Sequence, residues 1–321
     1  MGALLDVQHL TVTYGAVHAV RDVSFQLDSG EILGIVGESG SGKSTLGYAV
    51  TKLLRPPGTI QSGSVIFEGQ DLVPLAEKDL RKIRWSQLAV VMQSGMNALN
   101  PVTTIRKQFE DAILAHKPMG RAAIDERVRE MLRLVNIEAR YADHYPHELS
   151  GGMKQRVAIA MALVLEPKVL IFDEPTTALD VVVQRFIVQN LKALREKYNF
   201  SALFISHDLG TVLEIADRVA VMYGGKIVEI QDARALLRNP WHPYTEALLK
   251  CFPDPRSDTI EVVGIPGTPP DLADVRPGCA FAPRCHRALD MCRTVTPVYE
   301  PVGDGGVACH WAEIQGGIAH G

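Results

Sequence analysis

The sequence predicts an α/β protein with a mixed, mainly parallel core sheet, an N-terminal antiparallel β subdomain, an inserted α-helical subdomain and a small irregular C-terminal extension. Three observations carry that reading. The apolar run Ile32-Leu33-Gly34-Ile35-Val36 passes straight into a glycine-rich loop and then into a helical pattern. Beyond Pro167, short apolar runs alternate with helical periodicity, the rhythm of a layered parallel sheet. After Pro240 prolines punctuate a tail that also holds Cys279, Cys285, Cys292 and Cys309.

Taken in order, Leu10, Val12 and Tyr14, then Val20, Val23, Phe25 and Leu27, alternate with polar residues and read as half-exposed strands ahead of the buried one. From about residue 95 to 165 the period lengthens: Val128, Met131, Leu132, Leu134 and Val135 recur at helical spacing with charges between them, which marks the inserted subdomain. Then follow a strand over 169–172, a helix from Asp180 with Ile187, Leu191 and Leu194 on one face, a strand over 202–205, a helix over 209–215 and a strand over 219–222. The change of texture divides the chain into domains 1–238 and 239–321.

Composition narrows the function classes. Thirty-three basic against 37 acidic side chains, scattered along the chain, give a net charge of −4, so nucleic acid is not an expected partner. The longest wholly apolar stretch, 157–165, has nine residues, against the roughly 20 that a membrane-spanning helix needs. The first residues lack a basic start followed by a long apolar core, so no secretory signal is visible and a cytosolic location is expected.

Gly37 to Ser44 follows the pattern of a glycine, four residues, then Gly-Lys-Ser. The glycines let the backbone turn its N–H groups inward on phosphate oxygens, and the following helix adds the positive end of its dipole. Ser39, Gly40, Ser41, Gly42 and Thr45 complete this cradle; Lys43 reaches the β- and γ-phosphates, and the Ser44 hydroxyl ligates magnesium. A second apolar strand ends in two adjacent carboxylates that divide the work: Asp173 holds magnesium and Glu174 orients and polarises the attacking water. Ser150, Gly151 and Gly152 open another helix and offer further N–H donors to an anion.

With Leu149-Ser150-Gly151-Gly152-Met153-Lys154-Gln155-Arg156 in place, residues 4–235 resemble the nucleotide-binding subunits of ATP-binding cassette (ABC) transporters, whose signature motif this stretch matches. The resemblance implies two cassettes closing head to tail, each ATP lying between one phosphate loop and the other chain's signature helix. It makes Tyr14 the aromatic stacked on adenine, Gln93 the magnesium-sensing glutamine, Asp180 the interface aspartate and His207 the γ-phosphate contact. His144 and His147 receive no such role and read as surface histidines. The implied assembly contains a second cassette, taken as a related heterologous chain, two membrane-spanning permease subunits and an extracytoplasmic solute-binding protein. This chain would sit on the cytoplasmic face.

The cysteines of the tail are separated by five, six and 16 residues, wider than the paired spacing of structural zinc sites, which leaves zinc and an iron–sulfur cluster both open. His310 is an alternative ligand, and Cys251 reads as a small packed residue. His242-Pro243-Tyr244-Thr245, Ile265-Pro266-Gly267-Thr268-Pro269-Pro270 and the cysteine quartet resemble the C-terminal extension of oligopeptide and dipeptide permease ATPases, which implies a four-iron, four-sulfur cluster, zinc being second choice. The expected function is ATP hydrolysis driving import of oligopeptides or similar solutes. Residues 93–101 look closer to sugar-oligomer variants of the same group, so oligosaccharide is kept as a substrate class. The alternative function is a soluble cassette ATPase acting on nucleic acid or ribosomes.

Overall fold

The computed structural model describes residues 2–92, 98–177, 179–251 and 264–314. The chain forms two compact units: Met1–Leu27, Ile32–Val73 and Ile205–Gly321 in the first, Asp28–Glu31 and Pro74–Phe204 in the second.

In the first unit, β1 (Leu5–Tyr14) and β2 (Val17–Leu27) form a hairpin, and β3 (Ile32–Val36) leads to helix α1 (Lys43–Val50). Then come β4 (Gly58–Phe67) and β5 (Gln70–Asp71), and the order β2-β1-β4-β5 makes an antiparallel sheet. Alternation buries Leu5, Val7, Leu10 and Val12 of β1 completely. The β1–β2 register shifts between Val7 and Leu10, where His9 takes a positive φ of 50°, the mark of a bulge.

In the second unit, α2 (Glu77–Ile83) precedes β6 (Leu88–Val91), then α3 (Ile105–Leu114), α4 (Arg121–Leu134) and α5 (Gly151–Leu163) build the helical subdomain. Thr104 caps α3 by accepting the Lys107 N–H, and α4 buries Ile124, Val128, Met131 and Leu132, spaced as one helix face requires. β7 (Val169–Asp173) lies parallel to β6, α6 (Val181–Tyr198) follows, and β8 (Ser201–Ile205) completes the order β8-β7-β6. Phe172 packs on Phe200 and Phe204, with ring centroids 6.4 and 6.0 Å away.

The first unit resumes with α7 (Leu209–Ile215), β9 (Arg218–Tyr223), β10 (Lys226–Asp232), α8 (Ala233–Arg238) and α9 (Pro243–Lys250). β3 runs parallel to β9, and β10 runs antiparallel to it. The expected strands and helices from residue 169 to 222 all form, within a residue or two of their anticipated ends.

The tail is less irregular than its prolines suggest. β11 (Glu300–Val302) and β12 (Gly305–Val307) pair antiparallel, and β12 continues the sheet on β10, with Glu229 opposite Val307 and Ile230 opposite Gly306. A Cβ at Gly305 would stand 2.1 Å from the Ile230 carbonyl oxygen, so only glycine admits this approach. Three-residue strands reading Glu-Pro-Val and Gly-Gly-Val carry no alternation for a sequence reading to find. The chain ends its described part in α10 (His310–Ile314). Among the described residues no helix is long and apolar enough to cross a membrane.

Candidate functional site: a phosphate loop and a signature helix

All five residues of β3 are buried, and the strand delivers Gly37 into a loop that only glycine can make. A Cβ at Gly37 would lie 2.2 Å from the Met222 carbonyl oxygen, and one at Gly42 would lie 2.1 Å from that of Ala19. Gly40 and Gly42 have φ of 79° and 100°, in the left-handed region. Gly42 is the N-cap of α1 and provides no side chain to the first turn, so no side-chain cap covers the positive end of the helix dipole. Lys43, 5% exposed, folds its ammonium back across the loop and donates to the carbonyls of Gly37 and Glu38, each at 2.8 Å. Ser39 and Gly40 stand exposed at the rim, Ser41 is buried, and Ser44 and Thr45 are half-buried on the first turn of α1.

His207 belongs to the same unit. The Ser206 N–H donates to the Ile35 carbonyl at 3.1 Å, so the chain leading to His207 runs beside the strand that feeds the loop. Asp208 then caps α7, accepting the N–H groups of Gly210 and Thr211, and the His207 side chain is exposed. Tyr14, at the end of β1, is half-buried with its ring against the backbone of Gly58, where a Cβ would come within 2.5 Å of it.

In the second unit, Asp173 is the last residue of β7 and is 2% exposed. Glu174 follows with a φ of 48°, a backbone position that non-glycine residues rarely hold. The Thr177 hydroxyl donates to Glu174 Oε2 at 2.8 Å and fixes the carboxylate's direction. Asp180 caps α6 by accepting the Val183 N–H at 3.0 Å. Ser150 caps α5, its exposed hydroxyl accepting the Met153 N–H at 3.3 Å. Gly152 approaches α6 so closely that a Cβ would meet Val183 Cγ1 at 2.9 Å, and Gly151 beside it is half-buried. Arg156 ties α5 to the end of α4, donating to the carbonyls of Val135 and Asn136 at 3.2 and 2.9 Å. Gln93 lies outside the described residues.

The four tail cysteines influence one another. Burial pushes the Cys279 thiol up to about 11, and the Cys309, Cys292 and Cys285 thiols add to that rise. The Arg287 N–H donates to Cys285 Sγ at 3.4 Å, and backbone N–H groups also reach the sulfurs of Cys279 and Cys309. Among the described residues, however, no three His, Cys, Asp or Glu side chains form a group that could hold a metal ion, so neither the expected iron–sulfur cluster nor the zinc alternative finds a formed site. His310 Nε2 instead meets the Val295 carbonyl at 2.9 Å. Cys251, half-buried at the end of α9, donates to the Ala247 carbonyl at 3.4 Å.

Comparison with known proteins places this geometry. Residues 20–177 match the family model for ABC transporters, and residues 228–292 match that for the C-terminal region of oligopeptide/dipeptide transporters. The chain is 41% identical to the dipeptide transport ATP-binding protein DppD of Caldanaerobacter subterraneus, the match covering 98% of each chain. The protein belongs to the ABC transporter family. It is also 46% identical to the oligopeptide transport ATP-binding protein OppD of Bacillus subtilis, over 90% of this chain and 83% of that one. Among solved structures, the dimeric ATP-binding cassette MJ0796 bound to ADP and Pi superposes with a TM-score of 0.65 at 30% identity, covering 72% of this chain and 99% of that one.

These matches correct two expectations. The relatives are transport ATP-binding proteins, so the soluble ATPase working on nucleic acid or ribosomes has no support. Their names specify oligopeptides and dipeptides, so the oligosaccharide reading drawn from residues 93–101 has none either.

Several residues were beyond sequence reasoning. Arg284, Tyr223 and Tyr244 meet around Glu38 of the phosphate loop, and Glu229 sits buried where it accepts the N–H groups of Trp241 and His242, each at 2.9 Å. Single charged or phenolic residues so far apart in the chain carry no periodic signal.

Proposed function

We propose that the protein is the ATP-hydrolysing subunit of an importer for oligopeptides or dipeptides, working from the cytoplasmic face on separate membrane-spanning permease subunits. One observation carries the reading: a phosphate loop and a signature helix start occur in one chain with the C-terminal region of oligopeptide/dipeptide transporters. In this reading Tyr14 stacks on adenine, Gly37 to Thr45 cradle the phosphates and Lys43 exchanges loop carbonyls for phosphate oxygens. Ser44, Asp173 and Gln93 would hold magnesium, which would supply charge neutralisation to the phosphates. Glu174 orients and polarises the attacking water, and His207 contacts the γ-phosphate.

Phosphoryl transfer to water depends mainly on positioning and charge neutralisation, so a site split between two cassettes turns on when they close. Ser150, Gly151 and Gly152 face the nucleotide of a second cassette, a related heterologous chain, with Asp180 at the interface. Splitting one bound anion into two products weakens the closed state and lets the pair part, which moves the permease subunits. The solved dimeric MJ0796 cassette supports the pairing. An extracytoplasmic solute-binding protein would supply the peptide.

Four cysteines, three of whose sulfurs receive backbone N–H donors, support a four-iron, four-sulfur cluster held by Cys279, Cys285, Cys292 and Cys309, whose binding would have to gather side chains that form no metal-holding group by themselves. In this reading the cluster staples a proline-rich segment, and iron and sulfide analysis after anaerobic purification tests it. For the main proposal, co-reconstitution with the permease subunits in liposomes should give ATPase activity that rises with peptide and binding protein. Activity indifferent to both would refute it.

A further inference from the structure

Glu38 is an odd residue for an anion-binding loop. A carboxylate one residue after Gly37 would repel a triphosphate unless something neutralised it and fixed its direction. The structure shows what does. Arg284, with only 4% of its side chain exposed, grips the Glu38 carboxylate with two nitrogens, at 2.6 Å from Oε2 and 2.9 Å from Oε1. Its remaining donors are also engaged, Nε to the Pro266 carbonyl at 2.7 Å and Nη1 to the Tyr223 hydroxyl at 3.1 Å. The guanidinium is therefore held by groups outside the loop as well as by Glu38.

The backbone of the same residue is held as well. The Glu38 N–H donates to the Tyr244 hydroxyl at 2.8 Å, while its carbonyl accepts from Lys43. Glu38 thus turns its carbonyl toward Lys43 and its N–H and carboxylate toward α9 and the extension. Arg284 directly precedes Cys285, so the loop is fastened to the segment that carries the cysteines.

We propose that Arg284 is a positioning residue for ATP binding: by neutralising and directing the Glu38 carboxylate it keeps the phosphate loop open to phosphate, and it makes ATP affinity depend on an ordered C-terminal extension. This rests on the reading of Gly37 to Thr45 as an ATP site. A salt bridge that only anchored the extension would cost stability when broken. This one also costs affinity, because the freed carboxylate belongs to the phosphate-binding loop and is no longer neutralised or held toward the extension.

Titrating the full-length chain with Mg-ATP by calorimetry tests this, with Lys43→Ala as control. Arg284→Ala should weaken binding by about tenfold or more, as expected for loss of a charge-assisted pair. The double variant Arg284→Ala/Glu38→Gln should return to within about threefold of the original, since no carboxylate remains to repel phosphate. Arg284→Lys, which keeps the charge and loses the fork, should fall between, and carries the test should Arg284→Ala not fold. In the assembled transporter the effect should appear in KM with kcat nearly unchanged. Binding by Arg284→Ala or Arg284→Lys equal to the original, or no rescue by Glu38→Gln, overturns the proposal while leaving the ATP site intact. Equal binding by the original chain and Lys43→Ala overturns both.

Discussion

Helices α1 and α5 both begin on segments of serine and glycine, yet they complete their first turns differently. α1 starts at a left-handed Gly42 with no side-chain cap, under a buried Lys43 whose ammonium rests on loop carbonyls. α5 starts at Ser150, whose own hydroxyl satisfies the Met153 N–H and remains exposed. In the proposed reading, the first arrangement exchanges the loop carbonyls under its cation for a ligand brought into the loop. The second is finished without any ligand, which suits a surface that meets its anion only when another cassette arrives. In the proposed function, the same kind of sequence would serve a resident site and a visiting one.

The largest test of this contrast holds both starts loaded at once. Glu174→Gln should retain ATP while turnover falls by about 10²- to 10⁴-fold, the usual worth of a general base, and should trap the closed pair in sedimentation experiments. Undiminished turnover would mean that another group activates water. Next in size, Lys43→Ala should weaken ATP binding by about a hundredfold in the isolated chain, measured by calorimetry, because the resident site loses its cation.

Ser150→Asp separates the two starts. Aspartate caps a helix as well as serine does, so the melting temperature and the isolated chain's ATP affinity should hardly move, yet ATP-driven pairing should vanish in the Glu174→Gln background. Weakened ATP binding in the isolated chain would place Ser150 in the resident site and break the comparison.

Smallest per step of the variable changed, about tenfold for each pH unit, is an effect on the brace of α1's loop. Tyr244, which receives the Glu38 N–H, lies in a helix capped by buried His242, whose Nδ1 accepts the Tyr244 N–H at 3.0 Å. Burial lowers His242 from its ordinary 6.5 to about 3. Between those values the unfolded chain binds a proton that the folded chain refuses, so the contribution is whole above about pH 6.5 and is lost as pH falls. Thermal unfolding should show about 1.4 kcal/mol lost per pH unit below that point, and His242→Asn should flatten the slope. An unchanged slope in that variant would assign the acid sensitivity elsewhere.

Legibility differed by region for physical reasons. β3, β7, β8 and β9 announced themselves as continuous apolar runs because burial on both faces demands them. α4 did so through the spacing of Val128, Met131 and Leu132. β4, with Gln61, Ser62, Gly63 and Ser64 in its middle, offered too little alternation, and β12 depends on two glycines that only a neighbouring strand explains. Lys43, Ser44, Ser150, Asp173 and Glu174 could be proposed from the sequence because each sits in a short motif, whereas nothing local marks Arg284 or Tyr223.

What the order of residues determined alone was local: which loop can expose N–H groups, which strand ends in carboxylates, which serine can cap a helix. These depend on neighbours a few positions away, and the backbone rules for glycine and helix starts are enough to derive them. The tertiary structure alone decided that Arg284 meets Glu38 across 246 positions, that β12 joins β10 and that Tyr244 holds the loop's backbone. Such pairings depend on distances that only folding sets, and the burial that makes an ion pair strong does not exist until the chain has folded.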